Sequence, residues 1–315
     1  MNKESYIPTA CKLKMSGVEK VTHIICYSGG HSSAKVAMNV ANKFPQDTVI
    51  LLNHDISPNV EHSDIKRFKI DVAEHLELPI TYCNYEGLSG EDIPDQFDVC
   101  IKIKGFKFGN GTELCTYNLK TKPFYDYLNQ NYPVPKESGV REDVVIYYGF
   151  DKEETHRIQR RSSILGAQGY YTDYPLALWD DVDNDIVVGS NIKPPLTYSN
   201  LSEDVSYGSW KHANCVGCLK AGRQHWYTTY CVRPDIWEKA KQSEDILNHS
   251  IIKGFWLEDL EDLFLEMKEK GIPPTEHIDG RTFWAMVKKV INKNKNVCEI
   301  FFNIKDNEKP CECVL

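Results

Sequence analysis

The feature that most constrains the fold is a set of apolar runs in the first half of the chain. Residues 21–27 and 48–53 form two such runs, and each is followed by apolar residues at helical spacing. Two more runs cover 78–85 and 144–150. Runs without strict polar alternation are typical of strands buried on both faces, and their alternation with helices favours a parallel sheet. The pattern predicts an α/β fold over residues 18–185, with a doubly wound, mostly parallel, Rossmann-like sheet.

The rest of the chain has a different pattern and predicts two smaller parts. Residues 186–240 begin with many Pro, Asn, Ser and Tyr residues and contain a Cys-x-x-Cys motif, so we expect a loop-rich cysteine segment packed on the sheet domain. Residues 241–315 have apolar stripes at helical spacing in 256–270 and 282–291. They predict a C-terminal helical region that ends in a polar tail.

Composition and charge exclude several classes of protein. The 315 residues are 41% apolar, which is enough for a packed core and excludes a disordered or low-complexity chain. Lys and Arg number 37 against 45 Asp and Glu, a net charge of −8, so a nucleic-acid partner would need a local basic patch. No apolar run approaches the ~18–20 residues of a membrane span, and the first residues lack the apolar core of a signal peptide, so we expect a cytoplasmic protein without a membrane partner. The eleven cysteines are therefore not expected to form a disulfide framework.

A glycine-containing loop stands between the first predicted strand and the first predicted helix. Consecutive glycines let backbone N–H groups point inward, and the N-terminus of the following helix favours an anion. A flexible turn with a serine cap is the alternative, but the position at a strand-to-helix junction favours a phosphate loop. The candidate nucleotide-binding residues in this loop are Ser28, Gly29, Gly30, His31, Ser32 and Ser33.

This loop resembles the SGGxDS loop of the PP-loop ATP pyrophosphatases, in the adenine-nucleotide α-hydrolase-like superfamily. Ser32 stands where that motif has Asp, as in looser relatives in the phosphoadenosine-phosphosulfate (PAPS) reductase family. Residues 115–123 look like the CTxxLKxxP segment of those relatives, and 174–179 contain a PLxxW signature. Residues 148–161 resemble the GxRxxExxxR-type segment that closes over the nucleotide, with Asp in place of the first Arg. These segments span about two-thirds of the chain in the order of the family.

The resemblance implies further residues near the nucleotide. Lys120, Arg157 and Arg161 would contact phosphate or sulfate, and arginine forks suit these anions. Asp55 ends the second predicted strand, and Gly149 permits a close backbone approach to a ligand. The alternatives are a capping role for Asp55, a solvated Lys120 and ordinary ion pairs of the two arginines with Glu154 on one helix face.

The cysteine pattern predicts a metal site. Cys215 and Cys218 have the spacing that lets two thiolates bind one ion, and the resemblance implies Cys115 as a third ligand. Thr116 replaces the second cysteine of the adjacent pair in adenylylsulfate reductases, so that particular ligand set cannot form. The candidates for the fourth ligand are Cys231, which we assign, and His212, Cys100 and His225. Four thiolates suit either Zn²⁺ or a [4Fe–4S] cluster, and a redox dithiol is the alternative.

Together the segments predict an enzyme that binds ATP or a PAPS-like adenine nucleotide with Mg²⁺. The resemblance implies adenylyl transfer with release of pyrophosphate, in sulfur-transfer chemistry on tRNA, DNA or a small-molecule acceptor. One alternative is a true PAPS or adenylylsulfate reductase that makes sulfite, although the ECGxH motif of PAPS reductases is missing. The other alternative is a regulatory module that binds a nucleotide without turnover, because Ser32 replaces the usual Asp.

Overall fold

A single parallel sheet forms the first half of the molecule. The structure is a computed structural model and describes residues 5–109, 111–196, 210, 213 and 215–291. The strands are β1 (Thr22–Cys26), β2 (Thr48–Asn53), β3 (Ile80–Tyr82), β4 (Arg141–Tyr147) and β5 (Tyr170–Asp173). Their order is β3-β2-β1-β4-β5, and every neighbouring pair is parallel. The predicted α/β fold with a parallel sheet is confirmed.

Helices connect the strands and also form most of the second half. Those of the first half are α1 (Thr9–Met15), α2 (His31–Lys43), α3 (Ser63–His75), α4 (Gln96–Ile103), α5 (Leu114–Thr116), α6 (Lys122–Asn131), α7 (Thr155–Ala167), α8 (Pro175–Leu178) and α9 (Ile186–Gly189). A π-helical turn, Tyr117–Thr121, joins α5 to α6. The later helices are α10 (Arg223–Val232), α11 (Pro234–Leu247), α12 (Leu257–Glu269) and α13 (Gly280–Val290).

Both faces of the sheet are covered. Along each strand, successive apolar side chains point to opposite faces. One face packs Ile25, Leu51 and Val145 against apolar residues of α2 and α3. The other packs Ile24, Leu52 and Ile146 against apolar residues of α6 and α7. Burial on both faces explains why these strands are continuous apolar runs.

The strand boundaries differ from the sequence prediction in two places and agree in two. The strands predicted at 21–27 and 48–53 are confirmed as β1 and β2. The run 78–85 gives only a three-residue strand, and the run 144–150 belongs to a strand that begins and ends three residues earlier. The edge strand β5 was not predicted, because its sequence, YYTD, lacks an apolar run.

The helical region also starts earlier than predicted. The helices expected at 256–270 and 282–291 are confirmed as α12 and α13. However, α10 and α11 fill most of 223–247, so the segment 186–240 is not a loop throughout. α10 is buried on nearly all sides, and such a helix lacks the polar face that reveals a helix in a sequence. The predicted tail lies outside the described residues.

The structure also bears on membrane insertion. Within the described ranges, no helix combines the length and the apolar character needed to cross a bilayer.

Candidate functional site

The site begins at the centre of the sheet, between β1 and β4, where the order in which strands are added to the sheet reverses. From β1 the chain proceeds through α2 to β2 on one side, and from β4 it proceeds through α7 to β5 on the other. β1 and β4 are adjacent and parallel, so the loops after them leave the same edge side by side. A crevice at the carboxyl ends of two such strands is the usual ligand site of open α/β sheets.

The phosphate-loop residues form a tight turn after β1. Gly29 has φ +81°, and a Cβ added to it would lie 2.3 Å from Cγ of Lys69. Ser28 Oγ donates to Ser33 Oγ at 3.3 Å, and Ser33 Oγ donates to the Gly30 carbonyl at 2.8 Å. The thirteen-residue α2 begins within this segment, at His31, with Gly30 as its N-cap residue. The turn therefore presents the N-terminus of a long helix at the crevice, as a phosphate loop requires.

The loop after β4 packs directly on this turn at Gly149. A Cβ added to Gly149 would lie 3.0 Å from the carbonyl carbon of Ser32 and 3.1 Å from the Ser33 nitrogen. The sequence predicted that Gly149 allows a ligand to approach. In the structure the close neighbour is the phosphate loop, so any larger residue here would push the two loops apart.

Two predicted arginines lie on aromatic rings beside the crevice. The Arg157 guanidinium stacks on the Phe150 ring at 4.2 Å and pairs with Glu154, and the side chain is only 9% exposed. Its Nη2 has no hydrogen-bond partner among the described residues. The Arg161 guanidinium lies 5.9 Å from the Tyr148 ring centre. The pairing of Arg157 with Glu154 confirms one of the two ion pairs expected from helical spacing, and the rings hold both cations close to the loop after β4.

Asp55 lies after β2 in a buried ionic network that the sequence did not reveal. Its carboxylate accepts from Lys66 Nζ at 2.6 Å and from Lys69 Nζ at 3.2 Å, and both lysines also pair with Glu61. Burial raises the pKa of Asp55, but the two lysines outweigh it and leave the pKa below its ordinary value. Lys69 is 1% exposed, and its stem lies against Gly29. Through the stem of Lys69, this network therefore packs against the predicted phosphate loop.

Three of the four assigned cysteines line one cavity. Cys115, Cys215 and Cys218 share a cavity of about 20 Å³ with Lys120 and Lys220, among others. A space of this size suits a single ion or water molecule. The sequence resemblance implied that Cys115 lies near the Cys-x-x-Cys motif. In the structure the three residues line the same cavity.

Cys231, the fourth assigned ligand, lies elsewhere. It is not among the residues that line this cavity, and its thiol contacts the Tyr227 hydroxyl with Lys268 nearby. Burial raises the pKa of Cys231. Cys100 is buried in the apolar core, and His212 lies outside the described residues.

Soft thiol donors suit Zn²⁺ or an iron–sulfur cluster, so the donor chemistry of the cavity fits both predicted cofactors. Its volume of about 20 Å³ has room for a single ion but not for a cluster. As they stand, however, no three His, Cys, Asp or Glu side chains in the described ranges are grouped to hold a metal ion. The three cysteines therefore line one cavity, but as they stand they do not form a set of ligands for a metal ion.

Lys120 connects the cysteine cavity with the sheet edge. It lines the cavity, and its charge also acts on His54, the residue after β2. His54 Nδ1 lies 2.7 Å from the Cys83 carbonyl oxygen. Burial, with a smaller effect from Lys120, lowers the pKa of His54 to about 4, so the ring is neutral at pH 7. The cysteine cavity therefore lies within electrostatic range of the carboxyl end of β2.

Comparison of the chain with protein-family models, with curated proteins and with solved structures finds no match. The family resemblance described from the sequence therefore stays a prediction.

Proposed function

We propose that this chain is an enzyme of the PAPS reductase-like, PP-loop type, which binds ATP or a related adenine nucleotide in the β1/β4 crevice. It would act at the α-phosphate, by adenylyl transfer with release of pyrophosphate. The single observation that carries the proposal is the Ser28–Ser33 segment, which forms the turn after β1 and the first residues of the thirteen-residue α2, at the point where the order of the strands reverses. Parallel α/β sheets bind nucleotides at such a point.

The charged residues around the crevice would interact with the phosphates of the nucleotide. Arg157 and Arg161 would neutralise charge that develops on the phosphates, since both lie on rings beside the loop after β4. Lys120 would contact the nucleotide from the β2 side. Mg²⁺ would bridge the phosphate oxygens, as it does in many nucleotide sites.

We propose that the cysteine cavity belongs to the same function. Cys115, Cys215 and Cys218 would provide three ligands to Zn²⁺ in the cavity as it stands, whereas a [4Fe–4S] cluster would require the cavity to widen. Such a group, when bound, would link the Cys-x-x-Cys turn to the helical segment that carries Lys120. Its position near the carboxyl end of β2 supports sulfur-transfer chemistry, with tRNA, DNA or a small molecule as acceptor.

The nucleotide proposal is tested by binding of α,β-methylene ATP, which resists cleavage and needs no acceptor. We expect Ser28→Ala and Arg161→Gln each to raise the Kd about tenfold or more, because a hydrogen bond to a charged group is worth ~1.5–3 kcal/mol. Arg141→Gln is the matched control, since Arg141 lies at the opposite end of β4. Isothermal titration calorimetry with Mg²⁺ gives the Kd values.

Two results would count against the proposal. No binding of α,β-methylene ATP by the native chain would remove the nucleotide site. Equal weakening by Arg141→Gln and Arg161→Gln would show a general charge effect instead of a local one. Sulfite production from PAPS would favour the reductase alternative.

A further inference from the structure

The turn between Cys215 and Cys218 is held by a buried histidine that belongs to α10. The backbone N–H groups of Gly217 and Cys218 both donate to Nε2 of His225, at 3.0 and 3.1 Å. His225 is 2% exposed. One ring nitrogen therefore fixes the two successive amides that lead to the second thiol.

The hydrogen bonds also define the tautomer of this ring. Because Nε2 accepts two N–H groups, it carries no proton, and the proton lies on Nδ1. Nδ1 is 2.7 Å from Oε1 of Glu276, which accepts this proton in a hydrogen bond. Glu276 is buried and lies in the segment between α12 and α13. A carboxylate thus orients a histidine, which in turn orients the cysteine turn.

The opposite side of the turn is fixed as well. Gln96 Nε2 donates to the Val216 and Gly217 carbonyls at 2.8 and 3.1 Å, and the Val216 N–H donates to the Val60 carbonyl. Gly217 has φ +70°, and an added Cβ would lie 2.7 Å from a side-chain carbon of Ile236. The backbone between the two thiols therefore has little freedom, and its conformation depends on side chains from distant segments.

We propose that His225 is a positioning residue for the cysteine site and that Glu276 fixes its ring. This inference rests on the cysteine site of the proposed function. His225 holds the turn in the conformation that directs both thiols to the cavity shared with Cys115. The Nε2 lone pair is already directed at the two amides, so His225 acts behind the thiols and is not the fourth ligand. Partners that orient ligands in this way typically contribute 10–100-fold to metal affinity.

The test is an anaerobic titration of the reduced full-length protein with Co²⁺, followed by thiolate-to-cobalt charge-transfer absorption. We expect His225→Ala to weaken Co²⁺ binding by roughly 10–100-fold. His225→Gln should recover most of the affinity, because the glutamine oxygen can accept where Nε2 does. His249→Ala, which removes an exposed histidine after α11, is the control and should bind like the native protein. Equal affinity of the native protein and His225→Ala would overturn the proposal.

A second measurement separates this inference from the metal proposal itself. Hydrogen exchange at the Gly217 and Cys218 amides reports the two hydrogen bonds without any metal. If the native protein shows no charge-transfer bands, the metal site falls, and faster exchange in His225→Ala than in His225→Gln still supports the positioning role. Unchanged exchange in His225→Ala would overturn it. If His225→Ala does not fold, His225→Asn takes its place, because its shorter amide cannot reach the two amides.

Discussion

At the residue scale, three glycines determine the shape of the site, two for one reason and the third for another. Gly29 and Gly217 have positive φ and lie against the side chains of Lys69 and Ile236. Gly149 lies against the backbone of the phosphate loop. A side chain at any of these positions would need either an unfavourable backbone conformation or a displaced neighbour.

Gly29→Ala is predicted to destabilise the fold and to weaken nucleotide binding. An alanine at φ +81° costs ~1–2 kcal/mol, and the added Cβ overlaps the buried Lys69 stem. The matched variant is Gly166→Ala, in α7, where an added Cβ meets no atom within 4 Å and alanine should stabilise the helix by up to ~1 kcal/mol. Urea unfolding of both variants gives the two free-energy changes. Similar changes in both would show that the turn around Gly29 is not strained.

At the element scale, a single carboxyl group links α11 to α12. Glu244, in α11, accepts the Ile251 N–H at 2.6 Å and the Leu257 N–H at 2.7 Å, and Leu257 is the first residue of α12. Glu244 is 1% exposed. Burial raises its pKa to about 7 even though both N–H groups favour the charged form. The helix pair therefore contains an acid that titrates near neutral pH.

This buried acid predicts a pH dependence of stability. The folded pKa of about 7 exceeds the ordinary value of 4.5, so the folded state binds more protons between these values, and its stability falls as the pH rises through them. The expected loss is about 3 kcal/mol, from ~1.4 kcal/mol per pH unit. His54 acts in the opposite direction, because its pKa falls to about 4 from 6.5 and its contribution is lost as the pH falls.

The two effects are separated by comparing the native protein with Glu244→Gln, which cannot titrate at this position. The difference in unfolding free energy between them should fall by about 3 kcal/mol from pH 4.5 to pH 7. Glu238→Gln, an exposed position in the same helix, is the control. Because a surface ion pair such as its contact with Lys241 contributes at most about 1 kcal/mol, the difference for this variant should change far less. A constant difference for Glu244→Gln would contradict the prediction. Urea unfolding at several pH values gives these numbers.

At the scale of the whole molecule, the cysteine turn lies where the sheet part and the helical part meet. One apolar cluster includes Val60, Phe97 and Leu114 from the first half together with Trp226 and Phe264 from the later helices. The turn lies in this cluster, and its hydrogen bonds come from both halves. The cysteine cavity is therefore formed jointly by the sheet part and the helical part.

Gln96→Leu is predicted to destabilise the cysteine turn, where the sheet part and the helical part meet. The substitution removes the donor to two carbonyls in a buried turn, and an unsatisfied buried acceptor costs ~1–3 kcal/mol. The expected result is a loss of that size in unfolding free energy, with faster alkylation of Cys215 and Cys218. Gln242→Leu, at an exposed position in α11, is the control and should change neither quantity. Native-like stability of Gln96→Leu would show that the turn does not depend on this side chain.

Much of the sheet and the turn at Ser28–Ser33 could be predicted from the sequence, because the patterns that indicate them lie within short segments. β1 and β2 are apolar runs, and the Ser28–Ser33 turn follows one of them directly. α10 could not be predicted, since burial on nearly all sides removes its polar face. The Lys69 network and the His225–Glu276 pair were also missed, because residues of ordinary type in distant segments carry no local pattern.

The sequence by itself determined the α/β class, the position of the glycine-containing turn after β1 and the cysteines that could share a site. Strand periodicity, turn residues and motif spacing are properties of short segments, so they can be recognised without knowledge of the rest of the chain. Only the tertiary structure decided the strand order, the contact of Gly149 with the loop, the separation of Cys231 from the other three cysteines and the residues that hold the cysteine turn. Those features depend on how distant side chains pack against one another, and packing is set by the complete fold.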